Sequence, residues 1–88
     1  MANRFNRDLM GMAPVVESAT STMRVLDAVQ DLPPHLQLIA ITATFKLMTE
    51  RFGMPAQDAF LITNNIMKDQ EGKRPEFDAV RMYMENEV

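Results

Sequence analysis

At 88 residues, with a formal charge of −3 and no cysteine, the chain is too short for two independent cores and cannot make disulfides, thiol chemistry or a cysteine-based metal site. Its 12 acidic and 9 basic residues are spread along the chain, which weighs against non-specific attraction to nucleic acid, and the lack of cysteine suits a reducing, cytoplasmic setting. The polar opening from Asn3 to Asp8 lacks the apolar stretch of a secretion signal, and no run reaches the roughly 20 apolar residues of a membrane span, so neither export nor a membrane is expected.

Prolines and glycines punctuate the chain at Gly11 and Pro14, Pro33-Pro34, Gly53 and Pro55, and Gly72 and Pro75. Proline is tolerated in a first helical turn and glycine suits the turn after a helix, so the pattern predicts helices over 14–32, 34–52, 55–69 and 75–86. The expected fold is all-α: a single small bundle of about four helices, with the second helix central, joined by Pro/Gly-marked turns. Residues 1–13 are expected as a flexible N-terminal arm, residues 14–88 as a single helical domain, and residues 69–74 as a solvated linker. Strand-type alternation and internal repeats are missing.

The first predicted helix places Val16, Ala19, Met23, Leu26 and Val29 on one stripe, and its Ser18-to-Thr22 stretch has weak helix propensity because hydroxyls compete for nearby backbone groups. The helix over 34–52 differs. At about 100° per residue, Leu38, Ile41, Phe45, Met48 and Phe52 form one apolar stripe, and Leu36, Ala40, Ala43 and Leu47, with Ile39 beside them, form another on the opposite side. A helix apolar on both sides must be covered on both sides, so this one is expected either at the centre of the bundle or in a subunit interface. A lone protomer with that helix at its rim and one flank in water would remove this ground for assembly.

The third predicted helix is expected to bury Ala56, Ala59, Phe60, Ile62, Ile66 and Met67, leaving Leu61 among Gln57, Asp58, Asn64, Asn65 and Lys68. The last helix offers Phe77, Val80, Tyr83 and Met84 as a docking face, with Glu76 and Asp78 near the positive end of its dipole.

Catalysis is not expected. The one imidazole, His35, has no neighbouring acidic cluster in sequence and reads as an ordinary boundary residue; the 69–72 stretch lacks the remaining ligands of a calcium loop, and no glycine-rich phosphate cradle occurs. No cofactor or metal is implied. The segment 48–68, a helix, a glycine turn and a second short helix, has the general plan of a helix-turn-helix unit. In that reading Gln57, Asn64, Asn65 and Lys68 would face DNA, the amides pairing with adenine, but few cations accompany them for the phosphates.

Nine methionines are the remaining signal, since methionine both fills core gaps and recurs at adaptable binding surfaces. Together these features favour a non-catalytic helical protein–protein interaction module that self-associates as a homodimer and acts as an accessory or regulatory protein; a small DNA-binding regulator is the alternative. The residues expected to carry the interface are Leu38, Ile41, Phe45, Met48 and Phe52 on the second helix, Leu61 as an apolar anchor on the third, and the competing pair Tyr83 and Met84 on the last. The compact character is similar to that of small accessory proteins of bacteria or their viruses, but no motif assigns a family or names the partner.

Overall fold

A computed structural model describes residues 4–69 and 72–88. The chain forms five helices: α1 (Arg7–Gly11), α2 (Val15–Val29), α3 (Pro34–Phe52), α4 (Ala56–Met67) and α5 (Pro75–Glu87). Between α4 and α5, β1 (Lys68–Asp69) pairs antiparallel with β2 (Gly72–Lys73) over two residues each, so the ends of the expected linker are tied together; residues 70 and 71 lie outside the described residues. The fold is a small all-α bundle.

Helix starts are set by proline. Pro14, Pro33 and Pro55 occupy the N-cap positions of α2, α3 and α4 with φ of −61°, −58° and −58°, and Pro34 and Pro75 stand in the first turns of α3 and α5. None of these four helices has a side-chain cap, so the fixed φ of proline replaces the hydroxyl or carboxylate that usually meets the first N–H groups. The α3–α4 corner is closed by Gly53 at φ 68°, whose N–H donates to the Glu50 carbonyl while the Met54 N–H donates to that of Thr49. This pair of bonds is the Schellman arrangement, and Met54, the apolar residue just past it, is buried.

The core is small. Six described residues are buried: Ala19 and Leu26 of α2, Phe77 and Val80 of α5, Ala59 of α4, and Met54. The α2 and α5 residues form one cluster, joined by half-buried Val15, Met23, Ile66, Met67 and Tyr83. Val16, expected on the inner stripe of α2, is exposed, and so are Ala56 and Phe60 of α4. Gln30 closes one end of this seam: its side-chain oxygen accepts from the Tyr83 hydroxyl, and its backbone carbonyl accepts from Gln37 Nε2 of α3 at 3.0 Å.

The expectation of a central second helix is corrected. None of the 19 residues of α3 is buried, and the helix lies at the rim, with Ile41, Phe45 and Phe52 half-buried along one face and Gln37 bonded to Gln30 near its start. Its neighbours bury their own stripes against each other, and one short helix, α4, is left to cover part of it. The expected arm also differs. Asn6 caps α1 through its side-chain oxygen, Phe5 stacks on Phe52 with ring centroids 5.3 Å apart, and Arg7 pairs with Asp58 at 3.1 Å, so residues 5–11 dock against the α3–α4 corner.

The rim position leaves the chain with much surface. Its accessible area is 7040 Å², whereas a folded monomer of 10.0 kDa is expected to expose about 5,200 Å². Granting the five residues outside the description the full area of an unfolded chain, about 800 Å², still leaves an excess of about 1,000 Å². The radius of gyration, 13.7 Å against about 12 Å for a compact domain of this length, agrees.

Candidate functional site

Among the described residues, α3 carries more exposed large apolar side chains than any other helix. Leu38, Ile39 and Leu47 are 69%, 60% and 63% exposed, and Leu36, Met48 and Ala43 are exposed beside them. The two stripes of this helix fare differently. The stripe expected to carry the interface turns partly inward: Phe45 meets Phe60 edge-on at 6.3 Å, Phe52 lies under Phe5, and Ile41 is half-buried, leaving Leu38 and Met48 as its exposed margins. The opposite stripe, Leu36, Ala43 and Leu47 with Ile39, faces water, and Ala40 is half-buried at its edge. The helical periodicity identifies both stripes; which one faces inward depends on where α4 and α1 dock, and that is not written in the spacing.

Half of the eight polar side chains along α3 bond within the helix. Thr44 and Thr49 hydroxyls donate to the carbonyls of Ala40 and Lys46 in their own helix, and Lys46 reaches Glu50 at 2.9 Å. That hydrogen bond and the nearby charge raise the Lys46 pKa. His35 is exposed in the first turn, in a shallow depression shared with Leu38, Ile39, Thr42 and Lys46.

The other expected residues do not join this surface into one site. Leu61 is 56% exposed on α4, and Tyr83 belongs to the α2–α5 seam, half-buried and engaged with Gln30, with exposed Met84 next to it. Beside that seam runs an open groove of about 430 Å³ between α2 and α5, lined by Val16, Met23, Ala79 and Tyr83, with Glu76 its charged lining residue. Phe60, 63% exposed, is an apolar surface residue that the sequence reading assigned to the interior.

Of the four residues of the DNA reading, Gln57, Asn64 and Asn65 are exposed on α4, and Lys68 is exposed just past it, at the start of β1. Their electrostatic setting is weak: Asp58 shares the helix, and Arg7, the nearest cation across from it, is occupied by that carboxylate. Among the described residues no three His, Cys, Asp or Glu side chains gather as metal ligands, and no helix is long and apolar enough to cross a membrane. A scan against protein-family models and searches of curated proteins and of solved structures found no match to this chain.

Proposed function

We propose that the protein is a non-catalytic helical interaction module that self-associates and acts as an accessory or regulatory protein, with the water-facing side of α3 as its binding surface. The rim position, with one flank of α3 in water, removes the ground that its two apolar stripes gave for assembly. A different observation carries the reading: a protomer of 10.0 kDa exposes 7040 Å², with branched and aliphatic side chains of one helix foremost in it. Contiguous apolar patches of that kind are uncommon on proteins that remain alone and mark interaction surfaces.

The test is the oligomeric state. Light scattering at tens of micromolar should return a mass above 10.0 kDa for the wild-type chain and a monomer for Leu36→Glu combined with Leu47→Glu, with helical circular dichroism retained. Burying two carboxylates in an apolar contact should weaken association at least about a hundredfold. A wild-type monomer at that concentration overturns the reading. So does retention of a DNA duplex that falls steeply with salt and is lost on Asn64→Ala plus Lys68→Ala, because phosphate neutralisation would then be the binding force.

A further inference from the structure

We propose that the occupant of the outward stripe of α3 is the same stripe of a second copy, running antiparallel about a two-fold axis that passes between Ile41 and Thr42. The inference rests on the reading of the chain as a self-associating module and specifies its geometry. Along this stripe Leu36, Ala43 and Leu47 are exposed and Ala40 is half-buried, the four separated by four, three and four positions, with exposed Glu50 three positions beyond their end. The order of the four is the same read from either end. A two-fold contact requires that if one residue meets another, the second also meets the first. In the antiparallel register Leu36 meets the partner's Leu47 and Ala40 meets the partner's Ala43, so each large side chain packs at an end and the small pair falls at the axis. Alanine at the crossing lets two helix axes approach to about 8 Å.

Orientation follows from the edges of the stripe. Seam spacing of this kind places Ile39 and Lys46 on one edge and Gln37, Thr44 and Arg51 on the other. Parallel helices would bring Glu50, which follows Leu47 on the stripe and pairs with Lys46 of its own helix, against the partner's Glu50, two like charges across the seam. Antiparallel helices set Gln37 near the partner's Thr44, and the aliphatic stem of Lys46 across the partner's Ile39, without a like-charge pair. The chain also has surface to spare: its excess over the expectation for a monomer, about 1,000 to 1,800 Å² taken over the whole chain, is of the size that each partner of a permanent homodimer buries, and the α3 stripe is one part of it. Leu32, exposed just before α3, extends the apolar strip beyond the seam itself.

The absence of native cysteine makes a clean test available, because every disulfide formed is an engineered one. Leu36→Cys and Leu47→Cys chains are prepared separately, checked for retained helicity, and oxidised alone and as an equimolar mixture. A disulfide needs Cα atoms within about 7 Å, while two copies of position 36 in the antiparallel register stand about 16 Å apart along the helix axis. The expected result is a covalent dimer from the mixture and little from either chain alone. Covalent dimer from Leu36→Cys alone indicates parallel helices and overturns the proposal. A wild-type chain that is dimeric by light scattering but gives no cross-link in the mixture also overturns it, while leaving the interaction reading intact; a monomeric wild type removes both.

Discussion

Two helices of similar apolar content end in opposite circumstances. In α2, Ala19 and Leu26 are buried against Phe77 and Val80 of α5, and the pair makes the core; in α3, longer at 19 residues, nothing is buried. The difference lies in pairing. The single stripe of α2 finds a complementary stripe on α5, a helix whose other faces carry Glu76, Asp78, Arg81, Glu85 and Glu87 and which can therefore sit only one way. With two stripes, α3 meets a partner of 12 residues that can reach one of them. Burial thus follows the supply of matching faces, and the helix with surplus apolar surface is the one left wet.

The sharpest way to break this contrast is to truncate one side chain in each region. Phe77 is 4% exposed at the centre of the α2–α5 cluster, and removing its ring in Phe77→Ala should cost about 3–5 kcal/mol, through lost burial and the cavity left behind. A domain this small holds roughly 4–13 kcal/mol in all, so the variant should be largely unfolded on modest heating. Leu47→Ala, on the outward stripe of α3, should leave the unfolding of an isolated protomer within about 0.5 kcal/mol of wild type. Urea unfolding followed by circular dichroism at a protein concentration low enough to exclude association reads both. Equal costs for the two would mean that α3 is buried within a single chain after all.

The corner between α3 and α4 provides a smaller effect that separates backbone from packing. Gly53 adopts φ 68°, and a Cβ placed there would meet nothing within 4 Å, so any penalty for Gly53→Ala comes from backbone conformation alone. That penalty should be about 1–2 kcal/mol, a fall of several degrees in the thermal midpoint, with Gly53→Asn costing less because asparagine enters the left-handed region more readily. An unchanged midpoint would show that the corner does not constrain α3, and that the rim position has another cause.

Much of the fold was legible from residues whose physics is local. Prolines fix where helices begin, and Pro14, Pro34, Pro55 and Pro75 lie at or just before the first residues of α2 to α5. Glycine in the left-handed region closed the corner where Gly53 stands. Most of the buried faces of α2 and α5 followed from single stripes, although Val16 and Met84, expected on them, stay exposed. What could not be read was anything requiring the choice of a neighbour. Phe45 packs on Phe60, which places that ring on the surface side of α4 rather than in the core. The first residues looked too polar to dock, yet Asn6 supplies a helix cap, and Phe5, one aromatic among polar neighbours, finds Phe52. For the binding surface, periodicity supplied both candidate stripes of α3, and only the location of Phe5 and Phe60 decided which of the two remained in water.

The docking of α1 yields the smallest expected effect and divides charge from stacking. Arg7 and Asp58 approach at 3.1 Å with side chains 55% and 39% exposed, so water and salt screen most of their attraction. Asp58→Asn should therefore cost no more than about 1 kcal/mol, and less as salt is raised. The nearly parallel Phe5 and Phe52 rings, 9° between planes, hide apolar area from water and do not depend on salt. Phe5→Ala should thus release α1 more than Asp58→Asn does, read as faster amide hydrogen exchange over residues 9–12. The reverse order would mean that the ion pair holds α1 in place. In that case the near end of α3 would be covered by an electrostatic strap that salt can loosen, and the boundary between its wet and covered parts would move with ionic strength.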